Sequence, residues 1–186
     1  MSLRNFISRI RTRKETARIR ALPDRQLMAS SFIPALAATG GTLLWIGTRV
    51  YTADDYAALE RNGATVWTTD IEPKAARWGH RTRHRPGDAC AIDRVFPDIM
   101  FDAVISNGVF GFGIDTVEMQ RQSLTSMARV LKPGGLLLLG WNTDRIPDPV
   151  AGGLTSALYR PDDFAGTPSR TTFDDVTHVY DCLWKR

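Results

Sequence analysis

Four short stretches carry residues whose types suit the recognition of a nucleoside-bearing ligand. In "LLWIGTRVYT", residues 43–52, Gly47 has no side chain, so a ligand can come close to the backbone there, and Thr48, Arg49, Val50 and Tyr51 follow it. Asp70 ends "TVWTTD", with Ile71 next. One carboxylate can accept from two vicinal ribose hydroxyls, because both donors are aimed at a single anionic group. In "GDA", residues 87–89, Asp88 could accept from an adenine amino group while the backbone of Ala89 meets the ring. Asn107 and the flexible Gly108 follow "FDAVIS" and would face the reacting end of the ligand. Plainer roles stand beside these: Asp70 could cap a helix beginning near Pro73, and Asp88 the helix after it.

These residues matter together only if the elements before them end on one edge. "TLLWI", from Thr42, is an apolar run of strand length, and "DDYAALERNG" reads as a helix with acidic residues in its first turn and Asn62-Gly63 as its stop. "TVWTTD" is a second strand, and Pro73 sits where the first turn of a helix accepts it. A short third strand is expected to end in "GDA" and a fourth is "FDAVIS". After the glycine-rich "GVFGFGID" a helix is expected, capped by Asp115 with Glu118 three positions on, its apolar face formed by Leu124, Met127, Ala128 and Leu131. "KPGG" ends that helix, and "LLLLGWN" is a fifth strand. Strands apolar on both faces, separated by amphipathic helices, imply a parallel sheet covered on both sides, a doubly wound α/β fold. In such sheets ligands bind outside the carboxyl ends of the strands. Further on, a short helix is expected at 154–159, and "THVYDCLWK" has the content of a final strand, paired antiparallel with a segment near Arg170 to Phe173.

The 186 residues, 43% hydrophobic and 24% charged, fit one domain with a sizeable core. Seven basic residues against one acidic between Arg4 and Arg20 give that arm +6, leaving −2 for the rest of a chain whose formal net charge is +4. A basic arm on a slightly acidic domain argues against a nucleic-acid-binding face spread over the core. Leu3, Phe6, Ile7 and Ile10 have helical spacing, so residues 1–39 read as a basic helical segment packed on a domain of residues 40–186. Contact with an anionic membrane surface is the less favoured reading, because the apolar stripe is short. A second helix should begin near Asp24, be disturbed by Pro34, and stop before Gly40-Gly41. Two cysteines with no CxxC pairing, and no apolar run approaching the roughly 20 residues that span a bilayer, point to a cytosolic protein. His80 and His84 are four apart, but no carboxylate or cysteine beside them completes a metal site, and His178 reads as structural. Trp45, Trp67 and Trp141 read as core facing the sheet.

"LLWIG", "TTDIEP", "GDA", "FDAVISNGVF" and "RVLKPGGLLLLGWN", in this order and spacing, resemble the successive motifs of the Rossmann-like S-adenosylmethionine-dependent methyltransferases over roughly residues 40–145. The resemblance implies a mostly parallel seven-stranded sheet with helices on both faces and an antiparallel last strand. It also implies S-adenosylmethionine as cofactor, with contacts at Gly47, Asp70, Asp88, Ala89 and Asn107. Thr48, Arg49 and Tyr51 in the first turn, with Ile71 and Gly108, complete the candidate set. The sequence departs from the family at the opening: Trp45 stands where an acidic residue is usual, and Arg49 and Tyr51 stand where the family's turn carries glycines. Glycine-specific positive φ would cost another residue about 1 to 2 kcal/mol, so a working site requires that the turn take another shape. Arg49 or Tyr51 would then reach the methionine carboxylate of the cofactor or the acceptor.

In-line methyl transfer to a small molecule or a sugar is the activity this implies, with no extra domain for a macromolecular acceptor. "GVFGFG" would form a mobile wall of the acceptor pocket, and Asp144, Asn142 and Asn107 are the polar groups at the strand ends. A catalytically silent relative is the alternative that the altered turn supports. A nicotinamide-dependent oxidoreductase is disfavoured by the missing glycine fingerprint.

Overall fold

The computed structural model describes residues 3–61 and 63–186. The chain begins with helix α1 (Leu3–Arg20), then α2 (Pro23–Leu27), a π-helical turn (Met28–Phe32) and α3 (Ile33–Ala38). Pro34 has no N–H to return to the preceding turn, and the helix absorbs the missing bond by widening just before it. The apolar stripe expected from Leu3 to Ile10 involves side chains outside the described residues, as does the Asn62 half of the Asn62-Gly63 stop. Gly63 does take a positive φ of 91° just beyond α4 (Ala53–Glu60), where a helix end favours glycine.

Strands β1 (Thr42–Ile46), β2 (Thr65–Thr69), β3 (Phe101–Asn107) and β4 (Leu131–Asn142) pair in parallel in the order β2-β1-β3-β4. β7 (His178–Lys185) joins β4 antiparallel, and β5 (Tyr159–Pro161) and β6 (Arg170–Thr172) both pair antiparallel with β7. The result is the expected seven-stranded mixed sheet, parallel through its centre and antiparallel in its last strand. Alternation along the strands divides the core in two. Leu44, Ile46, Val104, Leu137 and Leu139 share a core with α5 (Ile92–Val95) and α6 (Val117–Val130), including Ile92, Leu124, Met127 and Ala128. Leu43, Trp45, Ala103, Ile105 and Leu138 face Met28, Phe32 and Leu36 of the α2–α3 segment and Tyr56 and Leu59 of α4. Apolar residues on both faces of each central strand are what commit these runs to the interior of the sheet. Trp45 and Trp141 are buried as expected, and Trp67 is half-buried beneath the Arg85 guanidinium.

Four local expectations need correction. The third strand does not form. Residues 83–87 run beside β2 through three backbone bonds, from Thr68 N to Arg83 O, Arg85 N to Thr68 O and Gly87 N to Asp70 O, with a single bridge at His84. Pro86, which has no N–H, interrupts the segment just before its turn. Helix α6 is capped by Thr116, which accepts from Met119 N at 3.2 Å, while Asp115 accepts from Gly113 N instead. "KPGG" follows the helix as a bulge inside β4, since Leu131 pairs with Phe101 and Leu136 with Ala103, and Gly134 makes the turn at φ 69°. Residues 154–158 form turns rather than a helix, pinned by Asp148, whose carboxylate accepts from Val150 N and Ala151 N at the start of the loop.

Candidate active site

Because β1, β2, β3 and β4 are parallel, their carboxyl ends fall on one edge, and Gly47, Asp70, Asn107 and Asn142 stand side by side there. A cleft at this edge is lined by Gly47, Arg49, Tyr51, Asp70 and Ile71, and on its other side by Asp88, Ala89, Asn107 and Gly108. The structure thus brings together every candidate but Thr48. The Thr48 side chain is fully buried and turned away from the cleft, with Oγ1 donating to Ala75 O at 2.9 Å.

The first turn has the different shape its sequence demands. Gly47 alone keeps a positive φ, 85°, and Ala165 is the one non-glycine in that region among the described residues, so Arg49 and Tyr51 sit unstrained. Trp45 Nε1 donates to Gly47 O at 3.1 Å, a tie within the turn. Thr52 Oγ1 accepts from Arg49 N at 3.0 Å and lies 2.7 Å from the Tyr56 hydroxyl, locking the far side of the turn to α4. A Cβ on Gly47 would stand 3.1 Å from Val109 Cγ2, so the bare Cα is what keeps the cleft open at its base.

Asp70 is buried, and its carboxylate is already engaged. Oδ2 accepts from Thr48 N at 2.7 Å and Arg49 Nη1 at 2.8 Å, and Oδ1 accepts from Glu72 N at 2.9 Å. Glu72, not Asp70, caps the 3-10 helix Pro73–Trp78, so the capping role for Asp70 is not realised. Oδ1 keeps one lone pair, and the Arg49 side chain, 46% exposed, is the partner most easily displaced from Oδ2. Asp88 does cap the turn that follows it, accepting from Cys90 N at 2.8 Å through Oδ1, and it also lines the cleft. Burial pushes the Cys90 thiol up to about 11, so it stays protonated beside Asp88.

Thr52, Ile114 and Met119 have no counterpart in the reading of the sequence, whereas Val109, Phe112 and Gly113 belong to the glycine-rich stretch expected to wall the pocket. Gly87, Thr52, Val109, Ile114 and Met119 complete the cleft. Phe112 and Gly113, from the glycine-rich loop, form its outer wall, and Phe112 is half exposed beneath the Arg145 guanidinium. Past Gly108 the cleft continues into a second pocket bordered by Asp24, Arg25, Tyr51, Asn142, Thr177 and His178. Arg25 stands between the two: its guanidinium lies 5.3 Å from the centroid of the Tyr51 ring, and Nη2 would be 3.9 Å from a Cβ on Gly108. Helical periodicity in residues 24–38 marks the apolar positions, so nothing in the pattern separates Asp24 and Arg25 from ordinary surface charges. Burial sets them apart. Asp24 is 3% exposed and its carboxyl is raised by desolvation, against the opposing pull of Arg25. The His178 ring is pushed down to about 3 by burial, with the Arg25 charge adding to the effect. His80 and His84 do not line the cleft and meet Glu60 and Thr68, and no group of three metal-ligating side chains occurs among the described residues.

A carboxyl-edge cleft on a sheet of order β2-β1-β3-β4-β7-β5 is the architecture of the Rossmann-like methyltransferases, and this chain has that fold. Residues 51–139 match the family model described as a methyltransferase domain. Among solved structures, the N-methyltransferase NodS from Bradyrhizobium japonicum is similar with a TM-score of 0.63 at 14% identity, covering 89% of this chain and 98% of NodS. NodS has also been solved with S-adenosylhomocysteine. A TehB-like methyltransferase from Corynebacterium glutamicum gives 0.64 at 17% identity, with coverage of 87% and 94%. The pre-rRNA processing protein fibrillarin from Methanococcus jannaschii gives 0.58 at 15% identity, with coverage of 78% and 66%. No curated protein sequence matches the chain. Among the described residues, no helix is long and apolar enough to cross a membrane.

Proposed function

We propose that this protein is an S-adenosylmethionine-dependent methyltransferase acting on a small-molecule or sugar acceptor, its residues 1–39 packed on a single domain of residues 40–186. The observation that carries the reading is the convergence of Gly47, Asp70, Asp88 and Asn107 on one cleft, with unused acceptor capacity on both carboxylates. The residues fit the group: the Gly47 backbone leaves room at the base, Asp70 offers a lone pair to a ribose hydroxyl, and Asp88, on the cleft wall, would offer an acceptor to an adenine amine. Ile71 and Ala89 supply the apolar surface beside the ring. Arg49 would release Oδ2 of Asp70 to the second ribose hydroxyl, and its freed guanidinium would then be available to hold the methionine carboxylate beside Tyr51. S-adenosylmethionine, when bound, supplies a methyl carbon already activated by a sulfonium. The remaining work of the chain is alignment, which Gly108, Phe112 and the pocket beyond them perform by placing the acceptor in line and excluding water.

Titration calorimetry of the full chain with S-adenosylmethionine, S-adenosylhomocysteine and NAD tests this. Micromolar binding of the first two and none of NAD is the expected outcome, and absence of any adenosyl ligand binding would refute it. The Arg49–Asp70 pair favours a second reading, a silent relative whose ribose carboxylate is permanently satisfied. It predicts that Arg49 remains on Asp70 when S-adenosylhomocysteine is added in excess.

A further inference from the structure

The pocket past Gly108 draws most of its wall from outside the stretch that matches the methyltransferase model: Leu22, Asp24 and Arg25 come before it, and Asn142 and residues 175–178 after it. Its volume of about 610 Å³ suits a small molecule. Most polar groups around it are spent or out of reach. Asn142 Nδ2 donates to Thr177 Oγ1 at 3.0 Å, and that hydroxyl donates to Asp144 Oδ1 at 2.7 Å. Asn107 Oδ1 and His178 Nε2 close over Gly140 and are buried without a partner, beyond the reach of a ligand. Asp24 Oδ1 is buried in the same way.

What the pocket leaves unspent is the end of one guanidinium. Arg25 Nε is buried 3.2 Å from Asp24 Oδ2, and the side chain as a whole is 17% exposed. Neither Nη1 nor Nη2 donates to a described residue, and Nη2 would stand 3.9 Å from a Cβ on Gly108, which lines both cavities. The group is held on its face as well as its edge, with the Tyr51 ring 5.3 Å away. Tyr51 is itself fixed from α1, its carbonyl accepting from Arg20 Nε at 3.2 Å and Nη2 at 2.8 Å, while Arg20 pairs with Asp54 and Asp55 of α4. Arg49, the other cation of this wall, is taken by Asp70 at 2.8 Å. A positioned, largely buried guanidinium with two unused terminal donors matches the two oxygens of one carboxylate. Asp24 shares the cation, but desolvation already raises its carboxyl, so a proton taken up there keeps the cluster neutral when one further negative charge arrives.

We propose that the methyl acceptor is a small molecule bearing a carboxylate, whose two oxygens accept from Nη1 and Nη2 of Arg25 in the pocket past Gly108. Arg25 is then the residue that selects the acceptor, and Arg20 acts on it only by positioning Tyr51. An amide of the same shape offers the pair one oxygen instead of two and no charge. An ammonium is repelled by the guanidinium, and a phosphate dianion brings a second negative charge that Asp24 and Asp175 oppose. With the carboxylate anchored on Arg25, the rest of the molecule extends past Gly108 towards the cleft of Gly47, Asp70 and Asp88. The proposal rests on the methyltransferase reading for what the bound molecule is used for, whereas recognition by Arg25 needs no cofactor.

The test is proton–nitrogen NMR of the arginine guanidinium groups in the full chain, with and without S-adenosylhomocysteine, using Arg25→Lys to assign the Arg25 signals. Benzoate should shift those signals saturably in both arms, benzamide and benzylamine should leave them still, and phenyl phosphate should bind at least about ten-fold more weakly than benzoate. Arg25→Lys keeps a cation beside Asp24 and loses the planar fork, so benzoate should bind it about ten-fold more weakly while S-adenosylhomocysteine affinity stays within about three-fold of the parent. Arg25 signals that benzoate moves no more than benzamide does, or equal benzoate affinity in Arg25→Lys, overturn the proposal. Phenyl phosphate binding more tightly than benzoate overturns the assignment of a carboxylate. Failure of S-adenosylhomocysteine to bind while benzoate still seats on Arg25 overturns the methyltransferase reading instead, and the arm without it keeps the two apart.

Discussion

Replacing Asp70 by Asn separates what this carboxylate does for the fold from what it does for a ligand. In the ligand-free protein it accepts from Thr48 N, Arg49 Nη1 and Glu72 N at 2.7, 2.8 and 2.9 Å. An amide has a single acceptor oxygen, so Asp70→Asn leaves one of the two backbone donors facing an NH2 group. A buried unsatisfied donor costs about 1 to 3 kcal/mol, and in a domain of this size about 2 kcal/mol lowers the melting temperature by roughly 4 to 8 °C. The ligand loses a charged acceptor for its ribose and meets a competing donor, a further loss of about 2 kcal/mol, which is roughly thirty-fold in affinity. Arg49→Ala is the control, because it removes the same ion pair and keeps the carboxylate. With the arginine side chain 46% exposed, that pair contributes no more than about 1 kcal/mol to the fold, so Arg49→Ala should melt close to the parent, and any loss of adenosyl-ligand affinity in it reports the contact of Arg49 with the methionine carboxylate. Thermal unfolding and calorimetry with S-adenosylhomocysteine read the two effects separately. If Asp70→Asn melts lower as expected yet binds within about three-fold of the parent protein, the carboxylate serves the turn and not the ribose, and the cofactor assignment fails.

Gly47→Ala tests the base of the cleft: φ of 85° costs an alanine about 1 to 2 kcal/mol, and the new methyl group stands 3.1 Å from Val109 Cγ2. Calorimetry should show S-adenosylhomocysteine binding at least about ten-fold weaker, with unchanged affinity refuting the close approach at this position. Arg170 bridges Asp148 and the buried Asp181, which also accepts from Trp141 Nε1 at 2.8 Å. Arg170→Ala leaves that buried charge without its cation, and urea unfolding should show a loss of about 3 kcal/mol. A loss below about 1 kcal/mol would mean that the indole N–H and water suffice to hold Asp181.

The alternation of sheet faces, the parallel core and the antiparallel last strand were all legible in the sequence, because they follow from runs of apolar residues whose length and spacing are local properties. The candidate positions in the first cleft were legible for the same reason: each lies just past a strand, and parallel strands bring such positions to one edge. Where the expectation of a third strand failed, the outcome turned on three backbone bonds and a proline, which leave no mark in the apolar pattern. Other features had no local signal at all. Arg49 on Asp70 joins residues 21 apart, Tyr180 reaches Asp24 over 156 positions, and Asn107 and His178 close over Gly140 only because β3, β4 and β7 lie in register. His178 read as a structural strand residue, since a histidine in an apolar run carries no mark of which ring nitrogen will lack a partner. The sequence by itself determined the scaffold and the edge at which chemistry occurs. Tertiary structure alone decided which polar atoms there are already satisfied and which still wait for a donor, because hydrogen-bond satisfaction depends on neighbours that are close in space and remote along the chain.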